Sequence, residues 1–349
     1  MRVLVTGGAG YIGSVITDQL VAGGHRVVVL DNLSKGHRDA VNEHATFVHG
    51  DLLDAAIVKH TLVSNSIESV VHMAASSLVG ESMASPGRYY TNNVAAGITL
   101  LNALVEANVN TFVFSSTAAV YGEPTSVPIG EDATTNPTNT YGETKLAIER
   151  ALHWYHVAHG LRYASLRYFN AAGATSRRGE RHDPETHLIP LVLRAASNKA
   201  HPITVFGRDY PTRDGTCVRD YIHVSDLADA HVRALQALEA GKLRADIFNL
   251  GCGDGWTVQE VIDTARAATG QDIPVREGAR RAGDPAALVA SSAHIAKALG
   301  WQPQHSSLEG IIGSAWKWEQ REAAASGLAR DASTGSRIIN PRRSADVAG

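Results

Sequence analysis

Val-Leu-Val-Thr-Gly-Gly-Ala-Gly-Tyr-Ile-Gly, the stretch from Val3 to Gly13, decides the fold of this chain. Its apolar beginning predicts a short buried strand, and the apolar periodicity after it predicts a helix that reaches about Val21. Gly7, Gly10 and Gly13 lie between the two at G-x-x-G-x-x-G spacing. Gly7 allows a sharp turn, Gly10 lets a pyrophosphate approach the backbone, and Gly13 lets the helix pack closely on the strand. Ordinary strand-to-helix turns also contain glycine. The flanking sequence therefore has to distinguish such a turn from a loop that binds a dinucleotide.

The next predicted strand, Arg26–Leu30, supplies that context because it ends at an acid, Asp31. This acid stands 18 residues beyond Gly13, where a carboxylate hydrogen-bonds the ribose of an adenosine. A carboxylate at this place repels the 2′-phosphate of NADP and therefore favours NAD. The N-terminus of the helix that follows the glycines offers free N–H groups to the phosphates. Together these features predict that the chain binds NAD.

The composition is that of an ordinary globular protein of one large domain or two intimate lobes. Of 349 residues, 44% are hydrophobic and 19% are charged, with a formal net charge of −3. This balance gives no reason to expect nucleic acid or an anionic membrane as a partner. Cys217 and Cys252 lack the spacing of metal ligands, so we expect reduced thiols in a cytoplasmic protein. The histidines form no recognised ligand set, and we expect no metal.

Strands and helices alternate from residue 1 to about residue 167, which predicts an α/β fold with a doubly wound, parallel, Rossmann-type sheet. Beyond this point the alternation becomes irregular. We therefore expect a smaller mixed α/β lobe over the carboxyl ends of the strands, where open α/β sheets bind ligands. The predicted division is a NAD-binding domain, residues 1–170, and a substrate lobe, mainly residues 171–325, with some return to the large domain. Residues 326–349 have little to bury and are expected to be disordered.

Small and polar residues follow several predicted strands, at the edge where the cofactor is expected. Asp51 comes just past the strand Thr46–Val48 and has two interpretations of equal weight: a partner of the adenine amino group, or a helix N-cap. The cofactor-binding set predicted at this edge is Gly7, Gly10, Tyr11, Ile12, Gly13, Asp31, Asn32, Asp51, Leu52, Met73, Ala74, Ala75, Asn93, Ser115, Tyr141, Lys145 and Tyr168.

Tyr141 and Lys145 are four residues apart on a predicted helix, Thr140–His159, and so share one face. They are either an exposed polar pair or an acid–base dyad. In a dyad the ammonium lowers the tyrosine pKa from its usual value near 10, so that the phenolate accepts a proton from a sugar hydroxyl. Thr117 follows the fifth strand and either caps the strand end or hydrogen-bonds the same substrate oxygen.

These segments resemble the extended short-chain dehydrogenase/reductase superfamily, and later segments narrow the resemblance to the UDP-glucose 4-epimerases. The likeness covers about residues 1–325. It rests on Thr6-Gly-Gly-Ala-Gly-Tyr-Ile-Gly13, Ser115-Ser-Thr117, Tyr141-x-x-x-Lys145, Arg167-Tyr-Phe-Asn170, Pro184-Glu-Thr-His-Leu-Ile-Pro190, Asp209-Tyr-Pro-Thr-Arg-Asp-Gly-Thr-Cys-Val-Arg-Asp-Tyr-Ile-His-Val224 and Arg280-Arg-Ala-Gly-Asp284.

The resemblance implies reversible epimerisation at C4 of UDP-hexoses, such as UDP-galactose to UDP-glucose, through a 4-keto sugar and tightly bound NAD. It implies that Tyr141, Lys145 and Thr117 are catalytic. It also implies a homodimer formed by the helices Tyr90–Ala107 and Thr140–His159. The residues it implies for the UDP-sugar are Thr117, Asn170, His187, Leu188, Arg219, Arg281, Asp284 and Leu288.

Several alternatives stay open. Arg219 and Arg281 suit a diphosphate, and the alternative for each is an ion pair with Asp220 or Asp284. The motif favours the ligand role for both arginines. Asp284 is alternatively an acceptor for a ribose hydroxyl. The family commonly has a lysine where this chain has Ser76 and Ser77, which puts cofactor retention in question. Leu288 stands where a bulky tyrosine excludes N-acetylated sugars, and it is intermediate in size.

Three rival activities share parts of this pattern: a nucleotide-sugar dehydratase or decarboxylase, a dehydrogenase that releases NADH, and a non-catalytic nucleotide sensor. The sugar dehydratases typically follow their threonine with Asp-Glu, whereas Ala118 and Ala119 follow Thr117 here. Sensors of this fold usually lose the tyrosine or the lysine, and both are present.

Overall fold

The computed structural model of the chain describes residues 1–197, 201–281 and 284–334. Numbered along the chain, its strands are β1 Arg2–Thr6, β2 Arg26–Asp31, β3 Thr46–His49, β4 Ser69–His72, β5 Thr111–Thr117, β6 Arg162–Tyr168, β7 Asn170–Ala172, β8 Ile203–Phe206, β9 Val218–Arg219, β10 Tyr221–His223, β11 Ala245–Leu250, β12 Trp256–Thr257, β13 Val275–Gly278 and β14 Ala287–Leu288. Its α-helices are α1 Tyr11–Ala22, α2 Ala55–Ser64, α3 Val79–Ala84, α4 Pro86–Tyr89, α5 Ala96–Glu106, α6 Thr140–His159, α7 Leu188–Ser197, α8 Val224–Glu239, α9 Val258–Thr269, α10 Ala293–Leu299 and α11 Leu308–Thr334.

The central sheet has seven strands in the order β3-β2-β1-β4-β5-β6-β11, and every neighbouring pair is parallel. The strand order reverses between β1 and β4, which creates a crevice at their carboxyl ends. The predicted doubly wound Rossmann-type sheet is thus confirmed. The reversal explains why the loops after β1 and β4 face one another.

Two apolar layers cover the sheet. Residues of α1 and α8 pack on one face, and residues of α2, α5 and α6 pack on the other. Because both faces are buried, the strands are near-continuous apolar runs such as Val3-Leu4-Val5. Helix packing on both faces leaves the carboxyl ends of the strands as the open edge.

The second half of the chain builds a smaller lobe around its own apolar cluster, formed mainly by α7, α9 and α11. Its short strands form the pair β8–β13, the triplet β12-β9-β14 and the pair β7–β10. Two elements of this half, α8 and β11, belong to the large domain, where β11 forms the sheet edge beside β6. Among the described residues, no helix has both the length and the apolar character needed to cross a membrane.

The element boundaries differ from expectation at a few places. The expected helix Tyr90–Ala107 is interrupted, because residues Tyr90–Ala95 form a π-helical turn before α5. Residues of the expected surface loop Gly122–Pro137 include Ile129, which is 1% exposed and bridges to Ala290. The short helix α3 was not expected, since its sequence, Val-Gly-Glu-Ser-Met-Ala, has no helical apolar periodicity.

The chain end also differs from expectation. Helix α11 continues through residues 326–334, which were expected to be disordered. Alanines in this stretch favour a helix, which is consistent with the observed continuation. The remainder of the expected tail, residues 335–349, lies outside the described residues.

The first prediction concerns the close approach of α1 to β1. A Cβ at Gly13 would lie 2.2 Å from the carbonyl oxygen of Gly7. We expect Gly13→Ala to lower the free energy of unfolding by about 1–3 kcal/mol, because backbone has to move to make room. Urea denaturation without cofactor measures this. The control, Gly80→Ala in α3, meets no atom within 4 Å among the described residues and should not destabilise. Equal stability of Gly13→Ala and wild type would contradict the packing argument.

Candidate active site

A cleft of about 690 Å³ opens at the carboxyl ends of β1, β4, β5 and β6, between the sheet and the smaller lobe. Its size is within the usual range for small-molecule sites. All the residues predicted for cofactor, substrate and catalysis line it, except Asn93, Leu188 and Arg281. The topology therefore brings residues from both halves of the chain to one site.

The glycine loop forms the floor of the cleft. Gly7 has φ +71°, and a Cβ there would lie 2.6 Å from the backbone nitrogen of Ala74. Gly10 is the N-cap residue of α1, and no described side chain caps this helix. The first N–H groups of α1 therefore remain available to an anion. This cradle has the form that a cofactor diphosphate requires.

Asp31 lies beside this cradle at the end of β2. Its carboxylate accepts hydrogen bonds from the backbone N–H groups of Ala9 (3.0 Å) and Leu33 (2.8 Å). Burial raises the pKa of Asp31, and these two N–H groups partly offset the effect. The side chain is thus fixed at the loop where a ribose hydroxyl was expected.

Asp51 is not a helix N-cap. Its Oδ2 accepts a hydrogen bond from the Asn32 amide at 2.8 Å, and its Oδ1 accepts one from the Leu53 N–H at 2.9 Å. The N-cap of α2 is Asp54, whose carboxylate accepts from two N–H groups of the first turn. Of the two interpretations of Asp51, capping is therefore wrong, and its position in the cleft lining is compatible with a contact to adenine.

Tyr141 is held at the start of α6 by two local contacts. The Asn139 amide oxygen caps the helix by accepting from the Gly142 N–H at 2.9 Å. The Tyr141 N–H donates to the buried hydroxyl of Ser82 in α3 at 3.1 Å. The Thr117 hydroxyl accepts a hydrogen bond from the Ala119 N–H at 3.2 Å, which caps the turn after β5, and Thr117 lines the cleft together with Tyr141. The exposed-pair interpretation is therefore wrong for this tyrosine.

Lys145 lies one turn later on the same face of α6. Its Nζ donates to the carbonyl oxygen of Ser115 at 2.8 Å and lies 6.0 Å from the centre of the Tyr141 ring. The lysine side chain is 3% exposed. Thr117, Tyr141 and Lys145 thus converge at the end of β5, above the glycine cradle.

Burial determines the proton affinities in this ligand-free cleft. It raises the pKa of Tyr141 to about 12, although the nearby Thr117 hydroxyl opposes the effect. Burial also lowers the pKa of Lys145 to about 7, while the carboxylate of Glu149 opposes that change. In the ligand-free cleft, desolvation of the phenolate is therefore the dominant influence on the pKa of Tyr141, and the expected lowering by the lysine is not met.

Ser115 and Tyr168 hydrogen-bond each other through their hydroxyl groups. Burial raises the pKa of Tyr168 above its usual value, and the nearby Tyr141 raises it further. Tyr168 therefore stays protonated near neutral pH, as does Tyr141 in the ligand-free cleft.

Asn93 lies behind the cleft wall. Its amide donates to the Ser76 carbonyl and to the Thr144 hydroxyl, both at 3.0 Å, and its oxygen accepts from the Ser76 N–H at 2.8 Å. It therefore fixes the β4 loop against α6, and its neighbour Asn92 lines the cleft instead. The π-helical turn that contains both residues shifts the expected face, which sequence periodicity does not reveal.

Arg219 and Asp284 form an ion pair in the smaller lobe, which is the alternative that the sequence left open. Arg219 also donates to the Pro285 carbonyl at 3.0 Å, and both charged residues line the cleft. Asp220 instead accepts hydrogen bonds from backbone N–H groups of Cys252, Gly253 and Ala290.

Two other predicted substrate residues lie outside the cleft lining. Arg281 is exposed and covers the Phe206 ring, with its guanidinium carbon 3.9 Å from the ring centre. Leu188 begins α7 and packs against the apolar cluster of the lobe. Asn170 and Leu288 do line the cleft, and the Asn170 amide donates to the Asp220 carbonyl at 3.1 Å.

A charged group near the mouth of the cleft was missed by sequence analysis. Glu180, His182 and His187 place potential metal-ligand atoms within 4.8 Å of one another. His187 Nδ1 is 2.7 Å from Glu185. Burial lowers the pKa of His187, but Glu185 and Glu180 raise it to a net increase. The spacing Glu-x-His-x₄-His matches no familiar ligand pattern, so nothing in the sequence marked it.

Lys35 is a cleft-lining cation that sequence analysis also missed. It lies in the loop after β2, and its Nζ donates to the Asp183 carbonyl at 2.8 Å. The family commonly has a lysine where this chain has Ser76 and Ser77, whereas Lys35 comes from another loop.

The NAD dependent epimerase/dehydratase family matches residues 3–251. The UDP-glucose 4-epimerase of Halalkalibacterium halodurans is 51% identical over 322 residues, which cover 92% of this chain and 96% of that protein.

Two solved structures are similar to the whole arrangement. The UDP-glucose 4-epimerase from Brucella ovis in complex with NAD is 47% identical, with a TM-score of 0.88 and coverage of 90% of this chain and 97% of that chain. The UDP-glucose 4-epimerase from Bifidobacterium longum in complex with NAD+ and UDP is 36% identical, with a TM-score of 0.87 and coverage of 93% and 99%.

The second prediction concerns the protonation of Tyr141. Because burial disfavours the phenolate, we expect Tyr141 to give no tyrosinate absorbance below about pH 10 in the ligand-free protein. Subtracting the ultraviolet titration of Tyr141→Phe from that of the wild type isolates this residue. A difference signal that appears near pH 7 without any ligand would contradict the assignment.

Proposed function

Since the chain belongs to the NAD dependent epimerase/dehydratase family, we propose a residue-level account of the reversible C4 epimerisation of UDP-hexoses that it catalyses with NAD. The observation that carries this account is the convergence of Thr117, Tyr141 and Lys145 over a cradle that accepts no side chain. A proton acceptor, Tyr141, then lies beside the dinucleotide site. Oxidation of a secondary alcohol requires both, because it removes a proton from the oxygen and a hydride from the carbon.

The residues of the large domain fit the cofactor. The side-chain-free backbone at Gly7 and Gly10 and the open N-terminus of α1 accommodate the diphosphate, and Asp31 accepts a hydrogen bond from the adenosine ribose. Bound NAD+ supplies a reversible hydride acceptor for C4. Lys145, which lines the cleft beside Tyr141, would bind the nicotinamide ribose.

Tyr141 accepts the proton of the sugar 4-hydroxyl, and Thr117 hydrogen-bonds the same oxygen. The ligand-free pKa values make a neutral tyrosine the resting form, so a cation has to be added before the phenolate is stable. The positive charge of bound NAD+ would meet this need, and Tyr141 would then accept the proton of the 4-hydroxyl.

Arg219 and Asp284 hold the UDP part of the substrate, together with Asn170 and His187, which line the same cleft. In the ligand-free structure Arg219 forms an ion pair with Asp284. A diphosphate would replace Asp284 as the anionic partner of Arg219. Arginine offers the paired donors that a diphosphate binds best. Strong binding of UDP leaves the hexose itself free to turn, and remote binding energy then positions a loosely held reacting group.

One product assay distinguishes this activity from its rivals. Purified protein is incubated with UDP-galactose without added NAD, and the products are separated. An epimerase yields UDP-glucose with no net NADH, a dehydratase yields a 4-keto-6-deoxy sugar, and a dehydrogenase requires stoichiometric NAD. No turnover, with or without NAD, would contradict the proposal. A parallel incubation with UDP-N-acetylgalactosamine tests whether Leu288 admits the larger sugar.

The third prediction tests the proton acceptor. We expect Tyr141→Phe to lower kcat by at least about 100-fold, because loss of general acid–base catalysis typically has effects of this size. The affinity for UDP should change little, since Tyr141 lies apart from the residues assigned to UDP. The control is Tyr90→Phe, which alters a tyrosine that is 46% exposed. Near-normal kcat of Tyr141→Phe would remove this residue from the mechanism.

We also propose that two copies associate through α5 and α6. Trp154 and Val157, three residues apart on α6, are 66% and 61% exposed and form an apolar face on that helix. The Tyr155 hydroxyl donates to Asn102 of α5, so the two helices present one continuous surface. A second copy of this chain would bury both residues.

The fourth prediction tests this association. We expect the double variant Trp154→Glu, Val157→Glu to be monomeric in analytical ultracentrifugation, because two buried charges oppose association. The control Val63→Glu changes an apolar residue of similar exposure on α2 and should leave the dimer intact. A wild-type monomer, or an unaffected double variant, would contradict the proposed interface.

A cytoplasmic location is the remaining part of this proposal. Cys217 and Cys252 are both free thiols, which suits a reducing compartment.

A further inference from the structure

Glu149 is a buried carboxylate on α6, one turn beyond Lys145 on the same helix face. Its side chain is 3% exposed, and the guanidinium of Arg167 donates to both of its oxygens, at 2.9 and 2.6 Å. The Ser116 hydroxyl donates to Glu149 Oε1 at 2.5 Å. Such an arrangement needs several precise partners, because an unpaired charge at this depth would be costly.

The partners of Glu149 lie at the ends of the two strands that carry the reacting groups. Ser116 stands on β5 between Ser115, whose carbonyl binds Lys145, and the catalytic Thr117. Arg167 is directly opposite Ser116 on β6. The Glu149 side chain therefore connects α6 to β5 and to β6, next to the residues that contact Lys145 and precede Thr117.

The network continues beyond the ion pair. Arg167 donates to the Tyr121 hydroxyl at 2.9 Å, and that hydroxyl donates to Asn249 on β11 at 2.7 Å. Tyr121 belongs to the turn that directly follows Thr117. The ion pair thus fixes both sides of Thr117, and no part of the proposed chemistry uses it.

We propose that Glu149, through Arg167 and Ser116, is a positioning residue that aligns Tyr141 and Lys145 with Thr117. The inference rests on the proposed catalytic roles of Tyr141 and Lys145. Helix α6 holds two of the three groups and β5 holds the third, so a small slip of the helix would misalign them. A misplacement of about 1 Å lowers turnover by roughly 100-fold.

The charge of Glu149 has a separate effect. The titratable groups that face Lys145 are Tyr141 and Glu149 on α6, His72 on β4 and Tyr168 on β6. Burial lowers the pKa of His72 to about 3, and Tyr168 stays protonated, so both are neutral. Glu149 is then the one anion of this set, and it opposes the desolvation that lowers the pKa of Lys145.

Two substitutions separate position from charge. Glu149→Gln keeps the shape and removes the charge, whereas Glu149→Asp keeps the charge and shortens the reach. If the working enzyme needs the ammonium, kcat falls as pH rises through the Lys145 pKa. Loss of the anion lowers that pKa, so the alkaline limb of the kcat profile moves to lower pH in Glu149→Gln, by about one unit. It stays in place in Glu149→Asp.

The experiment measures pH profiles of kcat and KM for UDP-galactose with the cofactor-loaded enzyme. The control Glu106→Gln removes an exposed partner of Lys59 and should match the wild type. We expect about 100-fold lower kcat in both Glu149 variants, unchanged KM, and a shifted limb in Glu149→Gln alone. An unmoved limb in Glu149→Gln, or a kcat loss explained by a lower melting temperature alone, would overturn the inference.

Two further variants, Ser116→Ala and Tyr141→Phe, complete the experiment. If Glu149→Gln does not fold, Ser116→Ala removes one bond of the network without changing a charge. It should lower kcat with the limb unmoved, and wild-type kcat would overturn the positioning role. Tyr141→Phe, measured in the same series, separates failure of this inference from failure of the proposed catalytic roles.

Discussion

The backbone of the glycine loop lies so close to its neighbours that a side chain has no room at Gly7 or Gly13. A Cβ at either position would meet backbone atoms at 2.6 Å or less. This constraint holds α1 against β1 and brings the loop after β1 against the loop after β4. The reversal of strand order at this place leaves the crevice in which the cleft lies. The position of every other site residue follows from where this crevice opens.

Above the crevice, the cleft is completed by contacts between α6 and β5. Lys145 and Glu149 bind consecutive residues of the strand, Ser115 and Ser116, and the next residue is Thr117. The same burial that makes these contacts specific also raises the pKa of Tyr141 and lowers that of Lys145. The ligand-free site is therefore assembled but not yet ionised for proton transfer. A cation beside Tyr141 would stabilise its phenolate. In the proposed function, the oxidised cofactor would supply that charge.

The structure could be predicted from the sequence where a position accepts only one type of residue for a physical reason. Only glycine fits the backbone approaches at the cradle, and parallel buried strands require apolar runs, so the sheet and its floor were predictable. The four-residue spacing of Tyr141 and Lys145 was enough to place both on one helix face. Sequence reasoning failed where position depends on a local departure from ideal geometry. The π-helical turn at residues Tyr90–Ala95 places Asn92 in the cleft lining and Asn93 behind it.

Other features depend on contacts distant in sequence. The bonds of Glu149 to Ser116 and Arg167, and the cluster formed by Glu180, His182 and His187, are visible only when the chain is folded. Burial likewise reversed the expected direction of the Tyr141 pKa, because spacing on a helix says nothing about desolvation.

The central claim is that hydrogen removed from C4 returns to the same sugar within one turnover. The most direct test uses UDP-galactose deuterated at C4, in ordinary water and with excess unlabelled NAD, and analyses the product by mass spectrometry. If the hydride returns to the sugar from which it came, UDP-glucose retains the deuterium at C4. Loss of deuterium to the solvent or to the added NAD would contradict it.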